Sequence, residues 1–337
     1  MAKAAAFTCM ILLIGACWIG AWKWGAQALE ARVAISRQRL VAMGGELGCD
    51  KQRIEGFPFR IGVFCNNVSF ASPNGLAFSA SGFRSAAQLY KPGHFIAELD
   101  SPAALQLPNG VRFELGWGLL HSSAKANISG LENIDLKLEQ PVVSEGSGTA
   151  GSQTLASGEF IELHVRLSPE MPDAMDLAIT ARSIRDEKAR FPAFSLTGDF
   201  MLQRMAGVLA GDMVSGTGLL ALARQSGIAG TIRSVVLEPV SGGSLEFSGP
   251  LEVDSEGLLT GEILISAREL HALAAFLVQV FPGQSEIVDN IAALLAAIEP
   301  ERAAEGGMAT KPGIVLNIRR GKLSLGFIEL AQIPPLF

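Results

Sequence analysis

Apolar and polar positions alternate along this chain with different periods, and each period predicts a different kind of element. The opening stretch has no period. Ala4 to Trp22, AAAFTCMILLIGACWIGAW, is a run of nineteen residues without a charge. As a helix it spans roughly 28 Å at 1.5 Å per residue, close to the ~30 Å hydrocarbon layer of a bilayer. Trp18, Trp22 and Trp24 gather at its far end, where amphipathic rings prefer the membrane–water boundary. The period then becomes helical. Leu29, Val33, Leu40 and Met43 recur at a spacing of three to four before Gly44-Gly45, which predicts a stalk helix over Gly25–Met43. That helix either lies on anionic lipid or docks on the body of the protein.

From Cys49 onward the period is mostly two. Phe59, Ile61, Val63 and Cys65 alternate with Arg60, Gly62 and Phe64, so a strand begins there. Further strands are predicted over Asn66–Ala71, Leu76–Tyr90, His94–Leu107 and Val111–Leu120. They are separated by Ser72-Pro73-Asn74-Gly75, Lys91-Pro92-Gly93 and Pro108-Asn109-Gly110, pairs that supply positive φ for hairpin turns. Trp117 is expected in the core. Phe160–Leu167, Met175–Arg182, Leu219–Arg224 and Ile228–Leu237 read as strands, and Phe194–Leu209 as a strand to Leu202 that ends in helix. The charged run Arg182–Arg190 reads as a solvated loop or a short helical turn. Two further hairpins turn at Asp254–Gly257 and Arg319-Arg320-Gly321. Helical spacing returns in Arg268–Phe281 and Ser285–Ile298, separated by Pro282-Gly283. This αα-hairpin covers a sheet face or lids an apolar cavity.

The predicted class is therefore mainly β (α+β): an N-terminal transmembrane helix, then an extended antiparallel sheet or sandwich body with a C-terminal αα-hairpin. The expected organisation is an anchor over 1–24, a stalk helix over 25–45, a β-rich part over 46–143 and a second over 153–337 containing the helical hairpin at 268–298. Composition agrees. Of 337 residues 49% are apolar and 37 are glycine, enough for a sizeable core joined by tight turns.

The anchor fixes the compartment. Met1–Lys3 is expected on the cytoplasmic side and the bulk outside, since long domains translocate largely regardless of charge. Two processed forms compete with an uncleaved anchor. Ala26-Gln27-Ala28 has the form of a signal-peptidase site, although Lys23 precedes it. Ile14-Gly15-Ala16-Cys17 has the form of a lipobox, although the apolar run continues beyond it. The cysteines fit an oxidising compartment. Cys9 and Cys17 lie in the apolar run, which leaves Cys49 and Cys65 as a candidate disulfide, with two unrelated thiols as the alternative.

The most distinctive local motif is Gly56-Phe57-Pro58-Phe59-Arg60. Pro58 imposes an extended or turn geometry on Phe57. Its two aromatics are expected to plug one end of the β-core while Arg60 caps or pairs; the competing reading is a recognition site built on Arg60.

Other chemistry is sparse. A net charge of -6 without a basic patch argues against nucleic acid. Gly146-x-Gly148-x-x-Gly151 has the letters of a dinucleotide fingerprint but not its strand–turn–helix context. Two cysteines without a nearby histidine fall short of a zinc site. His94, His121, His164 and His271 are scattered, and carboxylates such as Glu238 and Glu252 are not placed together by their spacing. No catalytic residue, cofactor or metal is expected, and the chain is read as a binding protein, not an enzyme.

Four features in order carry a resemblance: the N-terminal span with its helix, Gly56-Phe57-Pro58-Phe59-Arg60, Tyr90-Lys91-Pro92, and the closing Leu325-Gly326 to Pro334-Pro335-Leu336 stretch. In these the chain resembles an uncharacterised bacterial family, the domain of unknown function numbered 2125. The resemblance implies a single-pass inner-membrane protein with its bulk in the periplasm and no assigned activity. The repeated apolar strands are also similar in architecture to envelope proteins of the AsmA type, whose long sheets form grooves for lipid. Membrane lipid and an apolar ligand are thus the expected partners, with a protein scaffold of the envelope or an unrecognised hydrolase as alternatives.

Overall fold

The computed structural model describes residues 2–127, 130–146, 153–188, 190–210, 224–280 and 313–337. Strands dominate it. The chain forms two compact units, Met1–Ala126 with Val143–Gln153, and Asn127–Val142 with Thr154–Phe337.

Unit 1 opens with α1 (Ala2–Ala42), a single helix of 41 residues. The span and the stalk are not separate elements. Gly25 does not interrupt them, because one interior glycine costs only about 1 kcal/mol against the hydrogen bonds of a continuous helix. Gly44, at φ 79°, ends the helix as expected. Residues 3–21 of α1 are exposed throughout. Beyond them the half-buried positions are Trp22, Gly25, Ala26, Leu29, Val33, Arg37 and Leu40, one face at helical spacing. The stalk therefore docks on the body. Met43, expected on that face, is exposed.

Eight strands follow: β1 (Glu46–Cys49), β2 (Arg53–Glu55), β3 (Arg60–Cys65), β4 (Val68–Ala71), β5 (Ala77–Gln88), β6 (Lys91–Gln106), β7 (Arg112–Gly116) and β8 (Leu119–Asn127). They pair antiparallel: β1 with β4, β2 with β3, β5 with β3 and β4, and β6 with β5, β7 and β8. Period-two alternation fixes the faces. Val68, Phe70, Phe78, Ala80, Ala103, Leu105 and Phe113 share the inner face in cross-strand register, and Ser69, Ala71, Ala77, Ser79, Ala104 and Glu114 share the opposite one. Trp117 is half-buried, and its indole N–H donates to the Leu99 carbonyl at 2.9 Å.

Unit 2 begins with β9 (Gly130–Glu139); β10 (Val142–Glu145) belongs to unit 1 from Val143 onward, and unit 2 resumes with β11 (Gln153–Ser157), β12 (Phe160–Leu167), β13 (Met175–Asp186), β14 (Phe194–Leu202) and the short helix α2 (Ala206–Ala210). The remaining elements are β15 (Ile228–Pro239), β16 (Ser244–Val253), β17 (Leu259–Arg268), α3 (Leu270–Val280), β18 (Ile314–Arg319), β19 (Lys322–Leu325) and β20 (Ile328–Gln332). An antiparallel meander runs from β12 to β20, with β9 beside β12. Met175, Met205 and Leu209 form a buried cluster with Leu131, Ile134, Val165, Leu202 and Val208 around it.

Several expectations are corrected. Arg182–Asp186 is not a loop but the end of β13. A bulge between Ala181 and Ile184, with Ser183 at φ 53°, reorients the strand there. The turn after β5 is Leu89–Tyr90, with Lys91 already paired to Gln88. Arg224 belongs to a helical turn over 224–226, while the rest of the strand expected at Leu219–Arg224 lies outside the described residues. The first helix of the αα-hairpin forms and covers a sheet: Leu273 and Phe276 are buried, with Phe276 against Phe194 of β14 at 6.5 Å between ring centroids. The second helix, Ser285–Ile298, lies outside the described residues, as does 147–152 with Gly148 and Gly151. Residues 153–157 that follow form strand β11, not a phosphate-binding helix.

Candidate functional site

Unit 1 holds two candidate places, the first of them built on the motif and the cysteine pair singled out in the sequence. The first is the tip of the β2–β3 hairpin. Arg53, Ile54 and Glu55 face Phe64, Val63 and Gly62, and residues 56–59 make the turn into β3. The Arg60 N–H closes it on the Gly56 carbonyl at 2.8 Å. Gly56 sits at φ 117°, and a Cβ there would lie 2.8 Å from the Arg60 carbonyl, so only glycine fits. At the base of the hairpin Cys49 and Cys65 form a disulfide, with Cα atoms 5.2 Å apart. The candidate pair and the motif thus belong to one device, a stapled hairpin.

Its tip rests on α1. The Trp18 indole donates to the Pro58 carbonyl at 2.9 Å and the Trp22 indole to the Arg60 carbonyl at 2.8 Å. Trp18 lies against Phe59 at 6.3 Å between centroids, and Trp22 meets Phe57 edge-on at 5.6 Å. Trp18, Trp22 and Gly25 follow i, i+4, i+7 and so share a face. A Cβ on Gly25 would lie 3.6 Å from Ile61. The aromatics do not plug the β-core, contrary to expectation. Phe57 is 53% and Phe59 60% exposed, because the turn carries both outward onto the helix. Among the described residues the Arg60 side chain forms no ion pair.

The second place is an open trough of about 1070 Å³ on the outer face of β4–β7. Register explains it: the side chains pointing there are mostly small, Ser69, Ala71, Ala77, Ser79 and Ala104, so backbone and Cβ carbons form the floor. Glu46, Asp50 and Glu114 edge it with a single cation, Arg112, held by Gln106 at 2.9 Å. Most of the lining is carbon, and the rim is acidic.

Elsewhere charge serves the fold. In unit 2 Asp176 is 5% exposed and accepts from Arg233 at 2.9 Å and Arg166 at 3.2 Å, while Arg233 also reaches Asp199 at 3.1 Å. Burial works against the Arg233 charge, but its hydrogen bonds to Asp176 and Asp199 outweigh that and raise its pKa. Hydrogen bonds from Arg190 hold the Asp186 carboxyl down at about 2, against an ordinary 3.8. His121 lies 3.7 Å from Glu98 and His164 2.8 Å from Asp135, in different strands. His94, His121, His164 and His271 belong to four different elements, β6, β8, β12 and α3. Glu238 and Glu252 both lie near β15, with Glu252 opposite Ala229 and Glu238 opposite Ser195, nine ladder positions apart. Among the described residues no three His, Cys, Asp or Glu side chains are placed to hold a metal.

The sequence model of a family described as an uncharacterized protein conserved in bacteria, DUF2125, matches residues 22–334. The chain belongs to that family. No curated protein and no solved structure matches it, and the likeness to AsmA-type envelope proteins is not confirmed. In this DUF2125 chain the stapled hairpin, Tyr90-Lys91-Pro92 and the closing stretch as far as Pro334 fall within the matched region, whereas most of the apolar run precedes it. Sequence reasoning missed the Trp18–Pro58 and Trp22–Arg60 contacts. The available signal was the i, i+4 spacing of two tryptophans in an apolar segment whose one hydroxyl donor is Thr8.

Proposed function

We propose that this DUF2125 protein is a membrane-anchored, extracytoplasmic binding protein whose N-terminal unit receives a lipid or another long apolar chain in its trough. The trough itself carries the reading: a carbon-lined channel on the unit that docks on α1, a helix long and apolar enough to cross a membrane. The acidic rim disfavours an anionic head beside Glu46, Asp50 and Glu114, so neutral or zwitterionic lipids fit best. The Cys49–Cys65 disulfide supports an oxidising compartment such as the periplasm.

Purified, delipidated full-length protein is expected to take up a fluorescent phosphatidylethanolamine saturably. Ala104→Trp and Ser79→Trp, which fill the trough from its exposed side, are expected to abolish uptake without lowering the melting temperature. Uptake that is unsaturable, or unchanged in both variants, overturns the reading. A phosphatase reporter at the carboxyl end, active outside the cytoplasm, tests the compartment separately. An envelope scaffold is the second reading. It is favoured by β20, all five of whose residues are exposed after the fully exposed Phe327. A photocrosslinker at Leu330 that captures one recurrent envelope protein would support it.

A further inference from the structure

The two motifs at 56–60 and 90–92 are 30 residues apart in the chain, yet they meet in unit 1. Arg60 pairs with Gln88 across β3 and β5, and the Leu89 N–H donates to the Phe59 carbonyl at 3.0 Å. The tight turn Leu89–Tyr90 therefore lies beside the Phe57–Arg60 turn. This end of the unit presents large rings outward: Tyr90 is 68% exposed, in addition to Phe57 and Phe59. It also presents two exposed cations, Arg60 and Lys91, which form no ion pair among the described residues. Aromatic rings ringed by Arg and Lys suit a lipid headgroup layer, where rings enter the interface and cations take phosphates.

The contact with α1 sets the height of this end. Phe59 lies against Trp18, five residues before Lys23, the first charge after the apolar run. Five helical residues correspond to about 7.5 Å. If Lys23 marks the water boundary, the hairpin tip lies below it, level with the last turn and a half of the span. The two indole N–H groups satisfy the Pro58 and Arg60 carbonyls, which a backbone turn entering lipid requires. We propose that the paired tips of β2–β3 and β5–β6 form a membrane-inserting face, in which Phe57, Phe59 and Tyr90 enter the lipid interface beside α1 and Arg60 and Lys91 bind lipid phosphates. This rests on the reading of α1 as a membrane span.

The test uses the full chain with Cys9 and Cys17 replaced by Ala, reconstituted in nanodiscs of phosphatidylethanolamine and phosphatidylglycerol. Single spin labels are placed at Phe59→Cys, Tyr90→Cys, Ile14→Cys and Asn109→Cys, with the melting temperature confirming folding of each variant. Collision with oxygen, concentrated in lipid, is compared with collision with a water-soluble nickel chelate. Labels at 14, 59 and 90 are expected to favour oxygen, with 14 deepest, and 109 to favour nickel. If 14 favours oxygen while 59 and 90 match 109, the inserting face is overturned and the span stands. If 14 also matches 109, the span falls and the inserting face with it. Arg60→Glu combined with Lys91→Glu is expected to move labels 59 and 90 toward water. Unchanged depth in that variant overturns the phosphate contact.

Discussion

The paired hairpin tips of unit 1 place three large aromatic side chains on its surface, Phe57, Phe59 and Tyr90, and unit 2 places two carboxylates in its interior, Asp176 and Asp186. Each inverts the usual partition of residues, and the two inversions have different causes. Asp176 and Asp186 are buried because arginines meet them: Arg166 and Arg233 for one, Arg190 for the other. The exception is resolved within the unit. Phe57, Phe59 and Tyr90 are exposed although the adjoining hairpin is covalently stapled and needs no further closure. Tryptophans of an apolar helix touch the two phenylalanines, and no such neighbour covers Tyr90. An internal exception speaks of stability; an external one speaks of surroundings.

The comparison can be broken at four points. The largest effect is expected from Cys49→Ser with Cys65→Ser. A disulfide closing a loop of separation 16 contributes about 3 kcal/mol in the chain-entropy model, so the urea midpoint should fall accordingly. Asp176→Ala comes next. It leaves Arg233 partly buried without its closest carboxylate, at a cost of about 2 kcal/mol, read from the same denaturation curve. Trp18→Phe keeps the ring contact with Phe59 but removes the donor to Pro58. A loss of about 1 kcal/mol predicts roughly fivefold faster amide exchange over residues 56–61 in detergent.

The smallest effect is a pH dependence. The Asp186 carboxyl is depressed from 3.8 to about 2, so its contribution is complete above 3.8 and is lost as the pH falls to about 2. Arg190→Ala should remove that loss and flatten the fall in stability between those two values. An equally steep fall in the variant would show that Asp186 does not depend on Arg190.

Much of the ladder was legible in the sequence because turn chemistry and alternation agree there. The hairpin at Asp254–Gly257 sets Val253 opposite Leu259 and Phe247 opposite Ile265, as the pattern requires. β12 occupies the expected Phe160–Leu167. The failures have physical reasons. β1 and β2 hold four and three residues, too few to show a period, and exist through their partners β4 and β3. β20 precedes Pro334-Pro335 and is exposed along its length, so no buried face marks it. Arg182 and Arg185 made the end of β13 look like a loop, although a strand carries charge freely on its outer face. The trough was illegible because small residues become a channel only when four strands bring them into register. The helix–hairpin contact was illegible because its partners lie 40 and 38 residues apart.

The continuity of α1 has a mechanical consequence. A helix without a hinge between Ala2 and Ala42 transmits torque, and unit 1 is fastened to it both at Trp18–Trp22 and along the face from Gly25 to Leu40. Any rotation or tilt of the greasy segment therefore carries unit 1 through the same angle, so the orientation of the trough is geared to the helix rather than free on a tether.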